Sequence, residues 1–584
     1  MGQPRANAAF YFAPDNYQTS GDGVVGRQSA TGGFLRGFIR HGGTEPYVIY
    51  ADQAQVFEDF VSFVKDAGGD PAKVSAVLPM ATGLLARVGT LFRPGPDVAG
   101  LAWRRRHYDQ RAFSIAGITH TVCETMAMRV IGDLLTGPVQ PWDALVCTSH
   151  CVRGVVERLL AGYANYLTER FGAEVTIPCQ LPVIPLGVDH ALYAERGANG
   201  AARTELRGLM NMGDDDVAVL YAGRLNHVEK ANPVPMYLAM EMAAKTTDKR
   251  LHLIQAGQAT NKDVETAFKT AATTFAPSVS HHFIDGSRDD LYDKIWAAAD
   301  IFLSLSDNIQ ESFGLTPIEA MAAGLPVVVS DYDGYRESVR DGIDGFTIPT
   351  AQPPWGAGAE IGFLYDTGYA PYPVFTAATS QSTGTDISAC VAALSQLIDD
   401  SERRRKMGAA GAKRAAEVYD WRHVVQGHQT LWSELAEIRT DAPERTAPGG
   451  GDAHPLAPDP FGLFHEHATG IIHGNATVSP ADGATIDKLA TYLGSDVAAP
   501  LAAVLYPADR MAVLMERLAD KPGAKVADLM SDLPPEQLTP FYLSLGWLMK
   551  MGLIDVEMQG DGAPATALTP FGVSETWRSL LGSR

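Results

Sequence analysis

The apolar positions of this chain fall into two successive series of short β-branched or aromatic runs, separated by stretches with helical spacing. Ala9–Ala13, Pro46–Ala51, Val74–Leu78, Phe113–Thr119, Ala144–Thr148 and Val183–Asp189 read as the strands of the first series, with Phe34–His41 as part of the helix after the first strand. Val217–Ala222, Leu251–Ala256, His282–Ile284, Ile301–Ser304, Val327–Ser330 and Gly345–Ile348 form the second series. Strands that alternate with helices predict parallel sheets covered by helices on both faces. The expected fold class is α/β, with two Rossmann-like doubly wound halves.

Beyond these series the pattern changes. Ala351–Thr385 turns to Pro, Gly, Tyr, Ser and Thr with little periodicity and reads as a long surface loop, a lid or an acceptor contact on one view and a plain insertion on the other. Helical spacing returns over Ser401–Glu417 and Trp421–Ile438, and Thr440–Pro455 has the composition of a linker. The tail has helical patterns at Ala484–Leu493, Pro507–Ala519 and Leu538–Met551, then Gly552-Leu-Ile before a short strand, an order like that of a winged-helix module. The expected domains are 1–195 (acceptor side), 196–439 (donor side), a 440–455 linker and a small mainly helical domain at 456–584, for docking or self-association.

Composition narrows the function. A chain of 584 residues with 46% hydrophobic and 20% charged residues suits a soluble protein of several domains. Its 47 Lys and Arg against 68 Asp and Glu give a net charge of −21, which argues against nucleic acid as a partner. No stretch is long and apolar enough to span a bilayer, and the start, Met1-Gly-Gln-Pro-Arg, lacks the basic-then-apolar shape of a signal peptide. A cytoplasmic location is expected. The 5 cysteines are too scattered for a disulfide framework, and Cys147-Thr-Ser-His150-Cys151 has no second ligand pair at zinc spacing, so buried thiols are expected. Trp103-Arg-Arg-Arg-His107 is the sharpest basic cluster, either a solvated face or a peripheral contact with an anionic membrane.

The chemistry concentrates in Glu311-Ser-Phe-Gly-Leu-Thr-Pro-Ile-Glu319. A glycine loop opens a helix read over Pro317–Ala323, which ends at Gly324. Amides at a helix start, with the positive end of its dipole, form a seat for phosphate. Two flanking carboxylates accept hydroxyl protons. Without that context they would be solvated glutamates of an ordinary helix–strand unit; with it they suit a nucleoside diphosphate carrying a sugar. In Tyr221-Ala-Gly-Arg224-Leu225, followed by Lys230, a strand leads into a loop with two cations able to meet a diphosphate.

With its flanks Asp307-Asn-Ile-Gln and Ser330-Asp-Tyr-Asp-Gly-Tyr-Arg-Glu-Ser, the Glu311–Glu319 segment resembles the donor site of family 4 glycosyltransferases. The resemblance covers about Ala8 to Ile438. It implies the GT-B fold, two Rossmann-like domains facing a cleft. It also implies transfer of a sugar from a nucleotide-diphosphate sugar to a hydroxyl acceptor with retention of anomeric configuration, the acceptor being a glycan or lipid-linked glycan of the cell envelope. Glu311 would orient the sugar and Glu319 the ribose. Arg224 and Lys230, with Gly26 and the amides of Ser312, Phe313, Gly314 and Leu315, would hold the diphosphate. His120, at the end of a strand, would line the acceptor side and take part in catalysis with Glu311. Two departures stand out. Lys230 lies one residue later than in the family pattern and precedes Ala231-Asn232 rather than glycine, and Gly26 has Gly32 and Gly33 as rivals. Asp214-Asp-Asp216 and Asp331-Tyr-Asp333 look like metal-binding Asp-x-Asp motifs, but with two cations at the phosphates metal independence is expected, with no cofactor beyond the nucleotide-sugar co-substrate. A phosphorylase or nucleotide-sugar epimerase on the same scaffold, and a non-catalytic scaffold protein, are the other readings.

Overall fold

The structure is a computed structural model that describes residues 6–14, 17, 26–51, 54–78, 82–443 and 454–558. Most of the expected linker, and residues 21–25 of the first glycine loop, lie outside the described residues. Two compact units are present, Met1–Ala102 with Arg111–Pro443, and Trp103–Gln110 with Glu444–Arg584.

The first unit contains both predicted sheets. Strands β1 (Ala9–Tyr11), β2 (Tyr47–Tyr50), β3 (Val74–Val77), β4 (Thr90–Arg93), β5 (Ser114–Ile118) and β6 (Ala144–Val146) pair in the order β3-β2-β1-β4-β5-β6, all parallel. Strands β7 (Val217–Ala222), β8 (Leu251–Ala256), β9 (Ser280–Ile284), β10 (Ile301–Ser304), β11 (Val327–Ser330) and β12 (Gly345–Ile348) repeat it as β12-β11-β10-β7-β8-β9. Each half is a Rossmann-like sheet that reverses its direction of growth between its first and fourth strands, where such sheets open a crevice at their carboxyl ends. The double-Rossmann, GT-B type architecture is the one the sequence implied.

Two strand assignments change. The central strand β4 was missed because it is only Thr-Leu-Phe-Arg between Gly89 and Pro94. Val183–Asp189 is not a strand: it makes isolated bridges, Cys147 to Val183 and Val188 to Asp420, and Pro185 removes a backbone donor from the middle of the run. The expected loop at 351–385 is folded too. Helices Ala359–Asp366 and Tyr372–Gln381 stand between the short strands β13 (Thr350–Ala351) and β14 (Gly384–Thr385), which pair antiparallel. The first of these helices buries none of its residues, so it has no apolar stripe to betray it.

Five helices position the site: α1 (Gly26–His41), α2 (His150–Phe171), α3 (His190–Ala198), α4 (Leu315–Ala322) and α5 (Trp421–Asp441). Although α5 closes the stretch read as the donor half, it packs on α1 and β5 of the first sheet. Asp420 caps its first turn by accepting from Arg422 N at 2.9 Å. The close approach needs glycine. A Cβ at Gly33 or Gly37 would lie 2.7 Å from Trp421, and one at Gly187 2.4 Å from it. Gly33 is therefore a packing residue. Above this contact Phe10, Phe34, Phe38, Phe92 and Trp432 form a ring cluster around the buried His428.

In the second unit β15 (Thr477–Pro480), β16 (Ala524–Lys525) and β17 (Ile554–Glu557) form an antiparallel sheet in the order β16-β15-β17. Helices Ile486–Leu493, Ala508–Asp520, Val526–Met530 and Pro535–Lys550 pack with it around their own core. From Ala508 onward the run helix, strand, helix, helix, strand has winged-helix order, and the sequence reading lacked β15, β16 and the short helices Pro460–Leu463 and Val526–Met530. The basic cluster belongs to this unit and is largely enclosed. Arg105 is buried, Trp103 stacks on His454 at 4.5 Å and Arg106 lies 5.4 Å over the Trp103 ring, leaving Arg104 as its exposed arginine. Among the described residues no helix is long and apolar enough to cross a membrane.

Candidate active site

The second sheet's switch point lies between β7 and β10, and the loops leaving these two strands carry the charged residues singled out above. The β7 loop turns at Gly223, φ 150°, a backbone conformation that side chains rarely adopt, and it runs so close to the β8 loop that a Cβ at Gly257 would lie 1.8 Å from the Gly223 carbonyl oxygen. Asn226 holds the loop by accepting from Val228 N and Glu229 N, both at 2.9 Å. Lys230 is thereby aimed at the β10 loop, where its ammonium pairs with the Glu311 carboxylate. Arg224 instead faces Glu229 in its own loop, at 3.6 Å.

Glu311 is almost enclosed, its side chain 10% exposed. Burial pushes its pKa up, but the Lys230 charge and hydrogen bonds from Lys230 and the amides of Ser312 and Phe313 outweigh it and hold the carboxyl below its ordinary value. Ser312 N lies 3.4 Å from it. A carboxylate thus sits among an ammonium and two consecutive amides, a donor set that suits a phosphate oxygen equally well.

The loop then turns at Gly314, φ 86°, where a Cβ would lie 1.9 Å from the Tyr335 ring, and α4 begins at Leu315, two residues earlier than the sequence reading placed it. Gly324, φ 85°, follows its end. Glu319 lies on α4 against α3, hydrogen-bonded by the Tyr193 hydroxyl, and burial raises its pKa above the ordinary carboxyl value. Phe313 is buried and packs against Tyr419, so only its backbone is available to a ligand.

The first sheet reaches this loop through hydroxyls. Thr148 Oγ1 and Ser149 Oγ donate to Ser312 O at 3.3 and 3.1 Å. Thr148 N in turn donates to Thr119 Oγ1 at 3.3 Å, which places the end of β5, and His120 after it, two residues' contact from the donor loop. His120 is half-buried and lines a small pocket with Thr31, Phe92, Trp421 and His428. Gly26 opens α1. The structure therefore brings Lys230, Glu311, Ser312 and Phe313 together, with Glu319 and Leu315 on the adjoining helix. Arg224 is in the same loop as Lys230 but paired with Glu229, and Gly26, at the start of α1, and His120, after β5, stand in the first half.

Several neighbours were not singled out as site residues. Asp307 accepts from Asn232 N at 3.4 Å, and its burial lifts its pKa to about 7. Glu337 binds the first amides of α2, accepting from His150 N at 3.0 Å and Cys151 N at 3.1 Å. Ser149 is the N-cap of α2, accepting from Val152 N. A strand followed by Ser-His-Cys-Val was a readable helix start. The five cysteines Cys123, Cys147, Cys151, Cys179 and Cys390 are free thiols, Cys151 half-buried and the others buried, and among the described residues no group of three His, Cys, Asp or Glu side chains could hold a metal.

Residues 203–354, which contain this switch point, match the family model described as glycosyl transferases group 1. This segment, well under half of the chain, is similar to the group 1 glycosyltransferases. The matched segment runs from before β7 to just past β12, so it holds Arg224, Lys230, Glu311 and Glu319. The chain is also similar to the D-inositol 3-phosphate glycosyltransferase of Geodermatophilus obscurus, 26% identical over 300 residues that make up 50% of this chain and 56% of that protein. Sulfoquinovosyl transferase SQD2 of Arabidopsis thaliana is 27% identical over 250 residues, 43% of this chain and 39% of that protein. The chain spans about half the length of its inositol-phosphate relatives. Among solved structures, Anabaena HepE in complex with UDP aligns at TM-score 0.46 and 16% identity over 75% of this chain and 100% of that one. Sucrose-phosphate synthase from Thermosynechococcus elongatus aligns at TM-score 0.45 and 15% identity over 74% and 100%.

Proposed function

We propose that this chain is a group 1 glycosyltransferase that moves a sugar from a nucleotide-diphosphate sugar to a hydroxyl of a glycan or lipid-linked acceptor with retention at the anomeric carbon, in synthesis of a cell-envelope polysaccharide or glycan. The observation that carries it is the meeting of Lys230 and Glu311 across the β7–β10 switch point, backed by the Ser312 and Phe313 amides. Bond cleavage builds negative charge on the diphosphate, and fixed cations and amides aimed there lower the barrier most. Lys230 and the loop amides do this, Arg224 joins them by leaving Glu229, and Glu311 orients the sugar hydroxyls. Glu319 takes the ribose, Gly26 lets the first sheet approach the phosphates, and His120 faces the acceptor. With cations supplied by side chains the reaction needs no divalent ion, so turnover should survive chelation with EDTA. Membrane contact through the basic cluster rests on Arg104, the second unit serves docking or self-association, and the chain works in the cytoplasm.

Thermal stabilisation of the full chain by UDP-, GDP- or ADP-glucose identifies the base. Glu311→Ala should then abolish transfer while the melting temperature stays near wild type. Near-normal turnover in that variant would remove Glu311 from the mechanism, and no stabilisation by any nucleotide sugar would remove the function itself.

A further inference from the structure

Asp333 is the unexplained group beside this site. Its backbone holds φ at 50°, a left-handed conformation that aspartate tolerates better than most side chains but glycine adopts freely. Strained positions of this kind persist where the surroundings over-determine them, and they cluster at ligand sites. The turn is seated on the donor loop: a Cβ at Gly334 would lie 2.5 Å from Phe313 Cα, and Cys151 Sγ donates to Asp333 O at 3.4 Å. The side-chain oxygen Oδ2 is buried with no hydrogen-bond partner, a costly arrangement unless something else completes it. The charged and titratable groups that face it are Glu311, Lys230, Glu337, Cys151 and Tyr332. Burial and then the Glu311 charge push the carboxyl up to about 8, so near neutral pH it keeps its proton while Glu311 does not.

We propose that Asp333 is a second sugar-recognising residue of the donor site, giving a hydrogen bond from its protonated carboxyl to an oxygen of the transferred sugar while Glu311 accepts one. The pair presents one donor and one acceptor to neighbouring sugar oxygens, as two carboxyls in unlike environments can. This rests on the nucleotide-sugar reading above. It adds that donor affinity falls when Asp333 ionises, and that anionic sugars such as uronic acids bind worse than neutral hexoses, because Glu311 and an ionisable Asp333 face them together.

The test compares wild type, Asp333→Asn and Asp333→Gly, both substitutions compatible with the positive φ. Calorimetry measures affinity for the best-stabilising nucleotide-glucose and for its free nucleoside diphosphate at about pH 7 and about pH 9.5, one on each side of the Asp333 transition. Wild type should lose about tenfold in nucleotide-glucose affinity at the higher pH and much less in diphosphate affinity. Asp333→Asn, which keeps a donor, should bind within about threefold of wild type at the lower pH and show no such pH loss. Asp333→Gly should lose about tenfold for nucleotide-glucose at both pH values and keep its diphosphate affinity. Equal affinities in all three proteins, or equal losses for sugar and diphosphate, overturn the role of Asp333 and leave the proposed function standing. Wild type that binds diphosphate but no nucleotide sugar overturns both.

Discussion

The two Rossmann-like halves of the first unit share a strand order and differ in what they do with it. At the carboxyl end of the second sheet, charge is concentrated and largely enclosed: Lys230 is paired with Glu311, Arg224 with Glu229, and burial lifts the Asp307 and Asp333 carboxyls to about 7 and about 8. In the first half the same geometry supports a ring core in which α1 and α5 close on Phe10, Phe92 and Trp432. One half is built to bind charge and the other to hold shape, and they meet where Thr148 and Ser149 touch Ser312. If that division is right, substitutions in one half should damage stability and those in the other should damage turnover.

The largest break in this pattern should come from Trp421→Ala. Trp421 fills the space left by Gly33, Gly37 and Gly187, and none of these can grow to replace it. The cavity should cost about 3–5 kcal/mol of stability by denaturant unfolding. Nucleotide-sugar affinity at a temperature well below the transition should change little. A comparable loss of affinity would show that the ring core shapes the donor site.

Lys230→Ala tests the other half. Removing one fixed charge from a developing-charge site typically costs about 10²–10³ in rate, and kcat should fall by that order. Stability should fall by only on the order of 1–2 kcal/mol, because the stranded Glu311 can take up a proton. A rate within about threefold of wild type would mean that Arg224 or the amides carry the diphosphate without Lys230.

These two residues also show how legible the molecule was in its sequence. Arg224, Lys230, Glu311 and Glu319 lie within a few residues of glycine turns that follow β-branched runs, so strand, turn and chemistry could be read in one window. Most strands were readable for the same reason. The parts missed depend on distant partners. β4 is four residues whose strand character comes from β1 and β5 on either side, and the helices of 351–385 bury too little to show a period. The role of Gly33 needed Trp421, hundreds of residues away, and Asp333 looked like half of a metal motif until its turn was seen against Phe313.

Titration separates the halves again, in opposite directions. Burial among the rings lowers the His428 pKa to about 3, and its Nδ1 has no hydrogen-bond partner. Between about pH 3 and 6.5 the unfolded chain binds a proton there that the folded chain does not, so stability falls as pH drops through that window. At pH 5 the cost is roughly 2 kcal/mol. Asp307 and Asp333 behave inversely: folded, they hold protons that the unfolded chain releases near pH 4, so their contribution is lost as pH rises towards 7 and 8. His428→Leu should therefore raise the unfolding midpoint at pH 5 more than at pH 8. An equal gain at both would mean that the imidazole is not kept neutral by the fold.

The smallest effect concerns the seam between the halves. The first amides of α2 would be orphans at a helix start, and they are met from the other half: Glu337 takes His150 N and Cys151 N, while Ser149 serves Val152 N. A carboxylate at the positive end of a 22-residue helix gains from the dipole as well as from the hydrogen bonds. Glu337→Gln keeps an acceptor and removes the charge, so it should cost only about 0.5–1 kcal/mol in stability. The more telling readout is catalytic. With the latch weakened, Thr148 and Ser149 are held less firmly on Ser312, and the first half is less fixed over the donor loop. Donor affinity, which rests mainly on the second half, should stay within about twofold, whereas kcat, which needs both halves in register, should fall several-fold, with the gap to wild type narrowing at high salt. Loss of donor affinity without loss of kcat would show that Glu337 shapes the donor loop rather than joining the halves.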